Sequence, residues 1–185
     1  MSMIVISIDD SEIMCSVWSS SGEARAGSFA DLEIANEYGS GAGRVFIFSR
    51  SDMVGESNHR STVGIQMDSE FESPTILGRE WGGAYWVGCN AHLYRISPSM
   101  AIDREINLDS HFAGLRLVPS LDRIIVLAEV GIFAVRSSGE IDWRVDLDVI
   151  TEVRWESESV AISQMDGPQV CVDLQSGRYR SADQR

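Results

Sequence analysis

From Ile141 onward, apolar residues fall on every second position. Ile141, Trp143, Val145, Leu147 and Val149 alternate with Asp142, Arg144, Asp146 and Asp148. Successive side chains of a strand point to opposite faces, so this pattern predicts a half-buried strand with one face on a core and the other in water. Just ahead of it, Ser137-Ser138-Gly139 predicts a tight turn, and Ile132–Val135 a short apolar strand. Ile124–Leu127 is apolar without alternation, which predicts a strand covered on both faces. Three strands joined by short turns make an antiparallel meander.

The unit recurs. Residues 92–108, HLYRISPSMAIDREINL, match residues 131–147, GIFAVRSSGEIDWRVDL, at an offset of 39. Leu93 pairs with Ile132, Tyr94 with Phe133, Ile96 with Val135, Ile102 with Ile141 and Ile106 with Val145. A further copy has strands at Val160–Ile162 and Val170–Leu174, a turn at Gln175-Ser176-Gly177 and a last strand from Arg178. Ser20-Ser21-Gly22-Glu23 repeats Ser137-Ser138-Gly139-Glu140 at an offset of 117, three times 39, between strands at Ile4–Ile8 and Ile13–Trp18 and the rest of the chain. Val45–Phe48 and Thr62–Met67 are strand-like but out of register. The units so marked cover approximately 1–27, 44–80, 81–119, 120–156 and 157–180 of a single domain, 1–185.

A period of 37 to 39 residues with about four short strands is the pattern of propeller-type blades. The stretch FAVRSSGEIDWRVDL resembles the repeats of quinoprotein-type and WD40-type β-propellers, over residues 85–179. One departure is that the Trp recurs only at Trp143, with Arg104 at the matching place. The expected fold is therefore all-β: repeated antiparallel meander units, propeller-like (a partial or small ring) or a related β-sandwich. One helix interrupts the pattern. Ser28–Tyr38 carries Phe29, Leu32, Ala35 and Tyr38 at helical spacing, with Ser28 to cap it and Gly39 to end it. Residues 51–61, SDMVGESNHRS, are polar and read as a mobile loop.

Charge narrows the function. Asp and Glu number 28 against 15 basic residues, all of them Arg, for a net charge of −13. Phosphates are repelled by such a chain, which argues against free nucleic acid as partner and for a basic protein. The three cysteines, Cys15, Cys89 and Cys171, are too far apart for a disulfide framework and read as buried thiols in a reducing compartment. The N-terminal MSMIVISIDD has no basic region, and the longest apolar run, Ile124–Ala128, is far short of the ~20 residues that span a bilayer. The expectation is a cytoplasmic protein without membrane contact.

Candidate chemistry is sparse. Gly39-Ser40-Gly41-Ala42-Gly43 has the wrong spacing for a dinucleotide loop, since Arg44 stands where the third Gly belongs. Cys89-Asn90-Ala91-His92 has metal-like spacing, but no second pair completes the set, so no metal or cofactor is expected. Two carboxylate groups stand out: Asp68, Glu70 and Glu72 share a face if extended, and Asp142, Asp146 and Asp148 share the polar face of the Trp143 strand with Arg144. Trp81, Tyr85 and Trp86 crowd around Gly82-Gly83, where Trp81 and Trp86 are candidate interface anchors. With no catalytic constellation, the expected function is non-enzymatic protein binding. In size and acidity the chain resembles small bacterial immunity proteins, which implies occlusion of a basic toxin or enzyme, the toxin encoded nearby. The alternative is a propeller-like scaffold or sensor that binds a peptide or self-associates as a homo-oligomer. A third reading is a small carbohydrate-active hydrolase using paired carboxylates.

Overall fold

The structure, a computed structural model, describes residues 2–8, 11–19, 32–34, 44–54, 57–67, 73–78 and 83–181. Seventeen strands account for most of them. Strands β1 (Ser2–Ile8), β2 (Ser11–Ser19), β3 (Leu32–Ile34), β4 (Arg44–Val54) and β5 (Ser57–Gln66) form one sheet in the order β1-β2-β4-β5-β3. Three four-stranded sheets follow, each in chain order. They are β6 (Thr75–Leu77) to β9 (Ile102–Asn107) through β7 (Tyr85–Cys89) and β8 (His92–Ile96); β10 (Phe112–Val118) to β13 (Ile141–Asp146) through β11 (Arg123–Ala128) and β12 (Gly131–Arg136); and β14 (Ile150–Trp155) to β17 (Tyr179–Ser181) through β15 (Ser159–Gln164) and β16 (Val170–Asp173). Consecutive four-stranded antiparallel meanders are the building plan of propeller blades, so the fold is all-β and propeller-like. Among the described residues no helix is long and apolar enough to cross a membrane.

Burial follows strand position. The two central strands of each meander are covered on both faces, which is why RIIVLA in β11 and GIFAV in β12 lack alternation. The fourth strands are mostly exposed: in β9 only Ile106 is buried, and in β13 only Val145. By contacts the chain falls into two compact units, Met1–Asn90 with Tyr94–Asp103, and Ala91–Leu93 with Arg104–Arg185. The first is built on Ile34, Val63, Ile65, Met67, Val87, Cys89, Tyr94 and Ile96. The second is built on Ile125, Ile132, Ala134, Val145, Val160, Ile162, Val172 and Leu174, with Trp143 and Trp155 packed against them.

Two expectations are corrected. The helix over residues 28–38 is not what Leu32–Ile34 adopt: they are a strand, β3, pairing parallel with β5 through Leu32↔Val63 and Ile34↔Ile65. The rest of that stretch lies outside the described residues. An eleven-residue helix is marginal on its own, whereas Leu32 and Ile34 also alternate about Glu33, and the edge of β5 offers a ladder and a core. The polar stretch 51–61 is not a loop either. β4 runs to Val54 and β5 starts at Ser57, with Ser51↔Arg60, Asp52↔His59 and Met53↔Asn58 in register. Polar composition signals contact with water, and a two-stranded ribbon satisfies its backbone in the ladder whatever its side chains.

Because Ile34 is only 3% exposed in the first core, Ile34→Ala should cost about 2–5 kcal/mol in urea denaturation. A loss below about 1 kcal/mol would mean that β3 is not packed as described.

Candidate protein-binding groove

Hairpin apices organise the second unit. The turns after β12 and β16 each place a glycine at positive φ, Gly139 at +88° and Gly177 at +69°. Backbone bonds close both turns: Gly139 N–H donates to the Arg136 carbonyl, and Gly177 N–H to that of Asp173, each at 2.9 Å. The missing side chain matters as much as the φ. A Cβ on Gly177 would lie 2.6 Å from Cδ2 of Trp143, and one on Gly139 would lie 2.7 Å from Cγ of Arg104. Each glycine is thus a bare patch on which a side chain from the preceding sheet's fourth strand lies flat. Arg104 and Trp143, the pair that broke the repeat in the sequence, occupy the same place and cover the same kind of glycine.

Arg123 strengthens the Trp143 joint. Its guanidinium donates to the carbonyls of Leu174, at 3.2 Å, and Gln175, and it pairs with Asp142. Asp142 also holds Arg136. The Asp142 side chain is only 13% exposed and that of Arg123 15%, so this carboxylate is an internal fastening between β11, β12 and β13.

The strict alternation read along β13 fails at its start. Ala134 pairs with Trp143 but Val135 with Ile141, so Asp142 is an extra residue in a bulge. Val145 is buried as expected, Trp143 is half-buried, and Ile141 is turned out to 46% exposure. One extra residue reverses the facing of everything before it, which is why Asp142 sits inside while Ile141 does not.

Ile141 opens onto a groove of about 740 Å³ lined by Arg104–Asn107 of β9 and by Arg136 and Gly139–Asp142. The charges along it are partly spoken for: Glu105 faces His92 at 3.5 Å, and Arg136 and Asp142 hold each other. On the rest of the polar face of β13, Arg144 pairs with Asp109 and Asp146 and stacks 5.0 Å over the Phe133 ring. Asp109 first, then Asp146, hold its proton more tightly than usual. Asp148 is exposed, and its carboxylate accepts from the backbone N–H groups of Val149, at 2.7 Å, and Asp166, at 3.2 Å. Asp68, Glu70, Glu72 and Trp81 lie outside the described residues. Trp86 is fully buried in β7: a central strand covered on both faces gives a core Trp, not a surface anchor. Cys89 is buried as well. Among the described residues, no three His, Cys, Asp or Glu side chains are grouped to hold a metal ion. The groove itself was missed in the sequence, where Arg104 read only as a mismatch to Trp143.

No family model matches the chain, and no curated protein sequence does. Among solved structures, it is similar to HIRA residues 644–1017, with 10% identity, 97% of this chain and 52% of that chain covered, and a TM-score of 0.48. It is similar to BBS1N from a complex with ARL6DN, with 14% identity, 75% and 50% covered, and a TM-score of 0.45. The Neurospora crassa Pan2 WD40 domain shares 9% identity over 75% of this chain and 48% of its own, with a TM-score of 0.43. The chain spans about half the length of these proteins. At such distances the fold description stands on the sheet topology, and nothing of their function passes to this chain.

Two outcomes test the joints. Gly177→Ala puts a methyl group into the Trp143 ring at a left-handed φ and should cost about 1–3 kcal/mol in urea denaturation. The second concerns acid. The Ser176 hydroxyl and backbone N–H, both 2.7 Å from Asp173, hold that carboxyl below its usual range. A carboxyl lowered by folding stabilises fully above the ordinary carboxylate range, and that part is lost as pH falls through its folded value. Ser176→Ala should therefore narrow the gap between denaturation midpoints at pH 7 and about pH 3; an unchanged gap would show that the hydroxyl does not hold Asp173.

Proposed function

We propose that the chain is a non-enzymatic, propeller-like scaffold that binds a protein partner, with the groove beside β13 as its contact surface. The observation that carries this reading is the exposed Ile141, turned outward by a bulge into an open groove flanked by charged side chains. An apolar centre with a polar rim is the usual anatomy of a protein contact. The bulge that seats Asp142 between Arg123 and Arg136 also turns Ile141 outward, and bulges commonly re-aim a side chain at a functional place.

The net charge of −13 supports a second reading, an acidic inhibitor of the immunity type that covers a basic toxin. Against it, the acidic face of β13 is largely matched from within: Asp142 is held by Arg123 and Arg136, and Asp146 by Arg144. An inhibitor that acts through charge needs those carboxylates free to meet the partner.

The two readings separate on one co-purified partner measured by light scattering and titration calorimetry. Ile141→Arg should weaken the complex by about tenfold or more with an unchanged melting temperature, whereas Asp146→Asn with Asp148→Asn should change it less than about threefold. The reverse ranking would sink the scaffold reading in favour of the inhibitor.

A further inference from the structure

The groove beside β9 and β13 carries both signs of charge. Arg104 and Arg136 line it, and so do Glu105, Glu140 and Asp142. Arg136 and Asp142 hold each other. The other three are not matched in this way. Among the described residues no ion pair involves Arg104. Glu105 faces the imidazole of His92 at 3.5 Å, and Glu140 lies 3.4 Å from the Ser138 hydroxyl. Among the described residues, neither glutamate meets an Arg of its own chain. An acidic segment laid in the groove would face these glutamates, and a basic one would face Arg104. An occupant that suits all of them carries both signs around an apolar side chain.

The groove itself has that composition. A contact about a two-fold axis puts the same patch on both sides, so that residue i meets j and j meets i. Arg104 stands on the β9 wall, whereas Glu140 and Ile141 stand on the opposite wall, the hairpin between β12 and β13. With the hairpin of each copy set in the groove of the other, Glu140 reaches Arg104 twice. Ile141, next to Glu140 and 46% exposed, then meets its own counterpart at the axis. That is an apolar centre with a charged rim. Copies of a chain with a net charge of −13 repel each other. Two arginines against three acidic residues bring this lining much closer to balance than the 15 against 28 of the whole chain. Two copies therefore approach here at low electrostatic cost.

We propose that the groove is the contact between two copies of this chain about a two-fold axis, with Glu140 of each copy accepting from Arg104 of the other and the two Ile141 side chains packed together. This deepens the scaffold reading by naming the partner as a second copy, and rests on it.

The test is sedimentation equilibrium of the full chain. At concentrations up to about 100 µM the parent should have twice the mass of one chain. Arg104→Glu and Glu140→Arg should each weaken the dimer about tenfold or more, because each sets like charges together twice. Glu keeps carbon at the β, γ and δ positions that lie over Gly139. Mixed in equal amounts, the two variants should recover the dimer, since both pairs across a mixed dimer are then opposite in sign. A monomeric parent, a dimer indifferent to either single variant, or two variants that stay apart on mixing would each overturn the proposal. Should Arg104→Glu fail to fold, Ile141→Arg takes its place, setting two cations against each other at the axis. Loss of the dimer in both Ile141→Arg and Glu140→Arg would then support the proposal, and a dimer kept in either would overturn it. Even with the self-contact overturned, loss of a different protein partner on Ile141→Arg would leave the scaffold reading standing, so the two fail separately.

Discussion

Close approach of a flat side chain to a glycine that has no Cβ is the contact on which the second unit depends. Interiors are packed to crystal-like density, and an overlap of a few tenths of an ångström is already felt. At Gly177 the Trp143 ring occupies the volume a methyl group would take, and at Gly139 the Arg104 stem does so. The same glycines must also take positive φ to turn their hairpins, a conformation other residues adopt only at a cost. Turn and joint are therefore solved by one residue. The last two sheets share this joint, whereas one period before Gly139 the corresponding turn position is Met100, also at positive φ.

Charge does a second job in the same place. Arg123 reaches two carbonyls of the following hairpin and a carboxylate of its own sheet at once. A rigid five-donor fork can do that, and an ammonium point charge cannot do it with the same geometry. Pairing of this kind removes charge from the surface that the composition suggests is available. The net charge of the chain is a poor guide to the charge of its binding face, because Asp142 and Asp146 are counted in the total but answered locally.

Much of the fold was legible. Alternation marked β13, uninterrupted apolar runs marked the central strands β11 and β12, and Ser-Gly turns marked the apices after β12 and β16. What failed did so for identifiable reasons. Leu32 and Ile34 fit both a helical stripe and a strand, and pairing with β5, invisible locally, decided between them. Residues 51–61 were judged by polarity, which reports on solvent and not on hydrogen bonding. The bulge at Asp142 cannot be seen in a pattern of apolar and polar letters, because it changes the register of pairing without changing the sequence's alternation. Hence the alternation points to the Asp142, Arg144, Asp146 and Asp148 face and not to Ile141 and Arg104, which line the groove together with Glu105 and Glu140.

The glycine joint also divides freedom unequally between its two partners. The covered residue has one acceptable identity, since any side chain there collides. The covering residue has several: an indole ring and a guanidinium on a three-carbon stem serve equally well, so long as the first few atoms are flat or slender. Whatever lies beyond those atoms is released from the demands of folding. Such a fold can change the chemistry displayed at one edge by a single substitution while its neighbours stay as they are, so recognition can diversify sheet by sheet on an unchanged frame.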